Sequence, residues 1–168
     1  PSFHARHSAL WRRYRYVIAN TAVRPAQLAE LVAWQRRHLD VNKMQAAAEA
    51  LLGEHDFSAF RAAQCQANSP IRHIHALDLV RWRDFVFLDI TANAFLHHMV
   101  RNIAGALMLV GAGHRPVSWL KELLEGRDRT LGADTASGAG LYLTGVGYPA
   151  EYALPEPPDG PSWLTGCL

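Results

Sequence analysis

Cysteine and excess charge are scarce in this chain. Its 168 residues include two cysteines, Cys65 and Cys167, and neither lies in a CxxC pair or a Cys/His cluster. This spacing excludes a disulfide framework and a structural zinc site, and it favours a reducing, cytoplasmic setting. The net charge of +2 is too small, and the hydrophobic fraction of 49% too large, for a disordered segment. We therefore expect a folded domain.

Long hydrophobic runs are also missing. The apolar stretch at 102–113 is shorter than the roughly 18 to 20 residues that a membrane-spanning helix requires. The N-terminal residues lack an apolar segment followed by a small-residue cleavage site, so they do not form a secretory signal. The chain begins with proline rather than methionine, which indicates a longer gene product. The length predicts one domain, placed at residues 1–150, followed by a proline-rich extended tail at 151–168.

Positive charge is concentrated near the N-terminus. Residues 1–40 carry seven arginines and two acidic side chains, a balance of +5, whereas the remaining 128 residues carry ten basic and thirteen acidic side chains, a balance of -3. The planar guanidinium group pairs well with phosphate, so this region predicts a polyanionic partner. A solvated basic face without a partner would explain the charge equally well. The seven arginines are Arg6, Arg12, Arg13, Arg15, Arg24, Arg36 and Arg37.

Hydrophobic periodicity predicts an α+β fold. The order is strand, helix, strand, strand, helix, helix, strand, at residues 11–19, 40–52, 71–80, 85–93, 94–110, 117–125 and 140–148. Residues 56–70 read as a loop, and the two central strands as an antiparallel hairpin. Hairpins with segregated helices favour a largely antiparallel sheet with the helices packed on one face.

The segment at 93–102 is the most informative place for chemistry. It forms the polar end of an otherwise apolar helix, and it would put His97 and Arg101 on one helical face. A cation beside a buried helix is costly without an anionic partner or access to water. Arg101 therefore meets a carboxylate or phosphate at a functional site, or it reaches solvent, or it pairs with Asp89 of the preceding strand.

Metal binding and serine or cysteine catalysis are not expected. Adjacent His97 and His98 cannot share one face of a helix, and the other histidine pairs lack a third ligand at a suitable spacing. Those pairs are His4 with His7 and His73 with His75. No GxSxG turn and no phosphate-binding loop is present.

Five segments follow one another along nearly the whole chain. They are FHARHSA (3–9), RRYRY (12–16), LLGEHDFSAFRA (51–62), DITANAFLHHMVRNIAGALMLVGAG (89–113) and GLYL (140–143). Together they resemble the tRNA pseudouridine synthase I family, also called tRNA pseudouridine synthase A. The resemblance implies the C-terminal domain of a homodimeric enzyme, active without a cofactor, that converts uridines in the anticodon stem-loop of tRNA to pseudouridine.

The family's catalytic aspartate is missing from this sequence. In the family it belongs to a GRTDxGVH-type motif in the first half of the protein, and no such motif occurs here. The resemblance therefore implies that the chain corresponds to the second half and is inactive alone. We expect Asp56, Asp84 and Asp89 to be structural. The alternatives are a non-catalytic RNA-binding domain and an interaction domain with an incidental basic face.

The resemblance also assigns site residues. Tyr14 matches the tyrosine that packs against the target base, Arg101 the basic residue that pairs with the catalytic carboxylate, and Leu143 an apolar residue of the same pocket. The candidates for phosphate or other substrate contacts are Arg6, Arg12, Arg13, Arg15, Arg61, Asn93, His97 and His98. Local packing is expected to differ from the family at His7, Trp11, Gly145 and Gly147.

Overall fold

A computed structural model describes residues 3–157 and 160–164. Its helices and strands are β1 (Trp11–Ala19), β2 (Ala33–Trp34), α1 (Val41–Ala48), β3 (Gly53–Asp56), β4 (Ile71–Trp82), β5 (Phe85–Ala92), α2 (Met99–Gly111), α3 (Trp119–Gly126) and β6 (Leu141–Gly147). Part of the predicted tail, including Cys167, lies outside the described residues. Of the helices in the described ranges, none has the length and hydropathy needed to cross a lipid bilayer.

The strands form one sheet with β5 at its centre. The order is β2-β1-β5-β4-β3, and β6 also pairs with β1. The pairing of β1 with β5 runs from Arg12 to Ala19, and the pairing of β1 with β6 from Trp11 to Tyr16. Only the short β1–β2 pair is parallel among these strands. The predicted α+β fold with a largely antiparallel sheet is therefore confirmed.

The main core lies between one face of the sheet and the helices. Tyr16 and Ile18 of β1 join the inward-facing residues of β5 and the apolar stripe of α2 in one buried cluster. Strand β5 alternates between two faces, because Val86, Leu88 and Ile90 lie in this cluster whereas Phe87 belongs to a second one on the opposite face. That smaller cluster also contains Leu164, so part of the C-terminal tail covers the second face.

Trp11 explains the two glycines of the last strand. Its indole lies against Gly147, where any Cβ would collide with the ring, and a Cβ on Gly145 would come within 3.2 Å of the indole and of Pro157. The bulky residue on β1 and the missing side chains on β6 thus compensate each other. Three of the four departures noted in the sequence, Trp11, Gly145 and Gly147, therefore belong to one packing arrangement.

The predicted boundaries need three corrections. The helix expected at 40–52 has its N-cap at Asp40, whose Oδ1 accepts a hydrogen bond from the backbone N–H of Lys43 at 3.1 Å, but it ends at Ala48 and continues as a 3-10 turn. Strands β2 and β3 were missed because both are short, with two and four residues. The helix expected at 94–110 begins only at Met99, since His98 has a left-handed backbone with φ 60°. His97 is therefore outside the helix, and its predicted helical spacing to Arg101 is wrong.

Candidate nucleic-acid-binding cleft

A cleft of about 690 Å³ opens between the N-terminal half of β1 and the start of α2. Four arginines, two histidines and two aromatic residues are among its lining residues, and none of the described lining residues is Asp or Glu. These eight are Arg6, Arg12, Arg72, Arg101, His97, His98, Tyr14 and Phe95. An arginine-rich cleft without a carboxylate favours an anionic ligand.

The turn between β5 and α2 forms one wall of the cleft. Asn93 directly follows β5, and its Oδ1 accepts hydrogen bonds from the backbone N–H of His73 at 3.0 Å and of Ala94 at 2.8 Å. Leu96 anchors the turn in the core, and the backbone N–H of Met99 donates to its carbonyl. Asn93 does not line the cleft itself. Its contacts set the direction in which the chain enters α2.

Tyr14 presents an aromatic ring to the cleft. It lies in the middle of the sheet, opposite Ile90 of β5 and Leu143 of β6. Phe95 meets its ring edge to face, with the centroids 5.1 Å apart and the planes at 89°. The β-sheet and Phe95 therefore fix the ring on two sides, and a planar base could stack on the part that faces the cleft.

Arg101 has a fixed side chain with an unpaired end. Its Nε donates to the carbonyl of Ala136 at 2.7 Å, and its own carbonyl accepts from the backbone N–H of Ala136 at 3.3 Å. Among the described residues, no hydrogen bond or carboxylate partner reaches its Nη1 or Nη2. The alternative pairing with Asp89 is not observed, because that carboxylate is bound by Arg15. The terminal nitrogens of Arg101 are thus available to an anion in the cleft.

Tyr16 lies beneath Arg101 on the same face of β1 as Tyr14. Its hydroxyl donates to the carbonyl of Ser137 at 2.7 Å. Burial raises the pKa of Tyr16 well above its ordinary value, and the charge of Arg101 offsets only part of that increase. Tyr16 is therefore a neutral hydrogen-bond donor that holds the 136–138 loop against the cleft.

Arg12 connects two segments at the cleft mouth. Its Nη1 donates to the carbonyl of Asn93 at 2.8 Å, and its Nη2 donates to the carbonyl of Arg6 at 2.5 Å. The N-terminal segment is also held by Tyr148, whose hydroxyl donates to the carbonyl of Ala5 at 2.9 Å. These contacts keep the Arg6 side chain at the rim of the cleft.

Three of the arginines proposed from the sequence lie elsewhere or have other partners. Arg15 is 8% exposed and forms a two-pronged ion pair with Asp89, at 2.7 and 2.8 Å, on the opposite face of the sheet. Arg13 alternates onto that same face. The Nη2 of Arg61 donates to the carbonyls of Cys65 and Ala67 at 2.7 and 2.8 Å, so it shapes the loop beside the cleft.

Leu143 lies beside the cleft rather than in its lining. It is 56% exposed and pairs across the sheet with Tyr14. Leu141, two residues earlier on the same strand face, lines the cleft. The two leucines therefore extend an apolar strip along the Tyr14 side of the sheet.

Arg72 and Cys65 are lining residues that sequence reasoning missed. Strand β4 continues past the end of β5, which brings Arg72 to the cleft, and no spacing in the sequence reveals that overhang. Burial raises the pKa of the Cys65 thiol, but hydrogen bonds from the backbone N–H groups of Ala67 and His97 and the charge of Arg61 lower it by more. The pKa of Cys65 therefore lies below its ordinary value. Within the described residues, no group of three or more His, Cys, Asp or Glu side chains could hold a metal ion.

Comparison with known proteins identifies the relatives of this chain. Residues 47–149 match the family model described as tRNA pseudouridine synthase. The chain is 56% identical over 164 residues to tRNA pseudouridine synthase A of Pseudomonas aeruginosa, and this alignment covers 98% of the chain and 58% of the relative. It is 56% identical over 163 residues to tRNA pseudouridine synthase A of Legionella pneumophila strain Corby, covering 97% and 62%. The match to the Tolumonas auensis protein of the same name is 53% over 164 residues, covering 98% and 63%. The chain thus spans less than two thirds of the length of these curated relatives.

Proposed function

The chain belongs to the tRNA pseudouridine synthase family, and we propose that it forms the uridine-holding side of the active site in a whole protein that isomerises uridine to pseudouridine in tRNA. One observation carries this proposal. The ring of Tyr14 and the unpaired guanidinium nitrogens of Arg101 line the same arginine-rich cleft. A base and a negative charge can therefore be held there together.

The chemistry requires a base removed from its stack. Isomerisation breaks the N1–C1′ glycosidic bond of uridine and forms a C5–C1′ bond, while C5 loses a proton and N1 gains one. The reaction balances without a redox partner or a cofactor. An aromatic face provides about 1 to 3 kcal/mol of stacking for a base, which offsets part of the unstacking cost. Tyr14 supplies that face.

Arg101 is proposed to pair with the catalytic carboxylate of the whole protein. A guanidinium within a few ångström of a carboxylate favours its ionised form, which is the nucleophilic form. The Nε bond to Ala136 holds the side chain in one orientation, and Nη1 and Nη2 remain for the carboxylate. In this proposal Tyr14 and Arg101 act on the base and the nucleophile, while Leu143 provides an apolar edge beside Tyr14.

The substrate is proposed to be the anticodon stem-loop, as the family resemblance implies. Arg6, Arg12 and Arg72 surround the cleft and would contact phosphates next to the extruded uridine. Arg15 and Arg61 are assigned structural roles instead, because their guanidinium groups already bind Asp89 and loop carbonyls.

We also retain two broader expectations for the whole protein, a homodimer and a cytoplasmic location. The free thiol of Cys65 agrees with a reducing compartment. Light scattering of the complete gene product would establish its oligomeric state.

Tritium release tests the proposed function. The complete gene product should release tritium from tRNA labelled at C5 of uridine, and the isolated anticodon stem-loop should serve as substrate.

Arg101→Gln should reduce the rate at least about 100-fold, since a pre-oriented charge is removed. Arg101→Lys should recover only part of the rate because lysine lacks the Nε donor to Ala136. Arg115→Gln, far from the cleft lining, is the matched control and should keep the wild-type rate. Full activity of a folded Arg101→Gln variant would overturn the assignment.

A further inference from the structure

His97 and His98 form a stacked pair inside the cleft. Their ring centroids are 3.9 Å apart and the planes meet at 28°. Adjacent residues of a helix would point in different directions, but these two precede α2, and the left-handed backbone of His98 turns both rings to one side. The sequence expectation that the two rings diverge is therefore wrong for this segment.

The backbone around the pair is held at both residues. The carbonyl of His97 accepts a hydrogen bond from the backbone N–H of Ala62 at 3.1 Å, and its own N–H contacts the Sγ of Cys65 at 3.4 Å. The carbonyl of His98 accepts from the N–H of Asn102 at 2.9 Å, at the start of α2. The rings thus occupy a defined position rather than the tip of a free loop.

Four arginines line the same cleft as this pair. Arg101 comes from α2, Arg12 from β1, Arg6 from the N-terminal segment and Arg72 from β4. The other titratable lining groups are the thiol of Cys65 and the phenol of Tyr14, and no Asp or Glu is among the described lining residues. Behind the lining lie the phenol of Tyr16 and the guanidinium of Arg61. Burial lowers the pKa of His98, and the charges of His97 and Arg101 lower it further. The free protein therefore disfavours protonation of His98.

We propose that the His97–His98 pair is a phosphate-binding site that takes up a proton when RNA enters the cleft. This inference rests on the proposed function, because the phosphate is that of the bound tRNA. A neutral imidazole has one N–H donor, whereas an imidazolium has two and carries a positive charge. An RNA phosphate adds negative charge beside the two rings, so the protonated form becomes favourable once the RNA is bound. The proton comes from the solvent, and no covalent bond of the RNA changes.

Proton uptake on binding makes the affinity for tRNA depend on pH. If the complex holds more protons than the free partners, tRNA affinity must increase as the pH falls. The change should be steepest between the lowered pKa of His98 in the free protein and its higher pKa in the complex. For one proton taken up, affinity changes by up to about tenfold per pH unit.

Calorimetry with the complete gene product and unmodified tRNA tests the inference. Titrations at one pH and ionic strength, in two buffers of different ionisation enthalpy, measure the protons taken up on binding. The test variant is His97→Gln with His98→Asn, since asparagine tolerates a left-handed backbone. The matched control is His114→Asn, an exposed histidine beyond the C-terminus of α2. The wild type and the control should take up a proton, and the double variant should take up less and lose most of the pH dependence of its affinity.

The outcomes separate the two proposals. Equal proton uptake by wild type and double variant, with tRNA bound in both, would overturn the histidine site and leave the proposed function standing. No tRNA binding by the wild type at any pH would overturn both. If the double variant fails to fold, the ring resonances of His97 and His98 in the wild-type protein provide the second measurement. Their pKa values should increase when tRNA is added, and unchanged values would refute the inference.

Discussion

Asn102 connects α2 to two loops, and its replacement should lower the stability of the fold. The side chain is 2% exposed. Its Nδ2 donates to the carbonyl of Phe60 at 2.8 Å, and its Oδ1 accepts from Thr135 Oγ1 at 2.7 Å and Arg129 Nη2 at 3.0 Å. The Asn102 amide thus connects the 3-10 turn that contains Phe60 to the segment that contains Ala136, the residue to which Arg101 donates its hydrogen bond.

Asn102→Leu removes all three hydrogen bonds and replaces the amide by an apolar group with the same number of heavy atoms. Two neutral bonds contribute about 1 kcal/mol each and one bond to a charged donor about 1.5 to 3, so their loss costs about 3.5 to 5 kcal/mol. The added apolar surface of leucine offsets part of this cost, and Arg129 keeps its contact with Thr135. We expect a net loss of about 3 kcal/mol in the free energy of unfolding.

Urea unfolding followed by circular dichroism measures this loss. The midpoint should fall while the m-value stays constant, which shows that stability and not compactness has changed. Asn42→Leu on α1, whose side chain has no hydrogen bond among the described residues, is the control and should change stability by less than about 0.5 kcal/mol. A loss below about 1 kcal/mol in Asn102→Leu would refute the hydrogen-bond reasoning.

Three further predictions concern the cleft and the last strand. Tyr14→Leu should weaken tRNA binding by about 1 to 3 kcal/mol, whereas Tyr14→Phe should bind almost normally, and equal affinities in a filter-binding assay would exclude stacking. The lowered pKa of Cys65 gives more thiolate at neutral pH, so iodoacetamide should alkylate this residue faster than an ordinary cysteine, and bound tRNA should protect it. An ordinary alkylation rate, measured by mass spectrometry, would contradict this prediction. Gly147→Ala should lower the melting temperature because the new Cβ collides with Trp11, and Trp11→Leu should restore stability in the double variant; additive losses would disprove the packing argument.

The sheet and the order of its elements could be predicted from the sequence because burial imposes visible periods. Strands β1 and β5 alternate clearly, and the apolar stripe of α2 repeats with helical spacing. Strand β2 has two residues and β3 four, so neither is long enough to show a period. Helix α2 begins later than expected because His98 has a left-handed backbone. A glycine at this position would have indicated a turn in the sequence.

The cleft was only partly predictable, for reasons that differ between residues. Tyr14 and Arg101 follow from motif position, but Arg72 reaches the cleft only through the register of β4 on β5. Alternation along β1 already placed Arg13 and Arg15 on the face opposite Tyr14, so one cleft could not contain all of these side chains. The pairing of Arg15 with Asp89 required knowledge of which residues face each other across two strands.

Photocrosslinking tests the central claim most directly. The complete gene product would be bound to tRNA that carries 4-thiouridine in the anticodon stem-loop, and the complex would be irradiated. Mass spectrometry would then identify the crosslinked residues. We predict crosslinks to cleft residues, above all Tyr14 and the turn at 94–98, with competition by unlabelled tRNA. Crosslinks confined to the opposite face of the sheet, around Arg13 and Phe87, would contradict the assignment of this cleft as the uridine site.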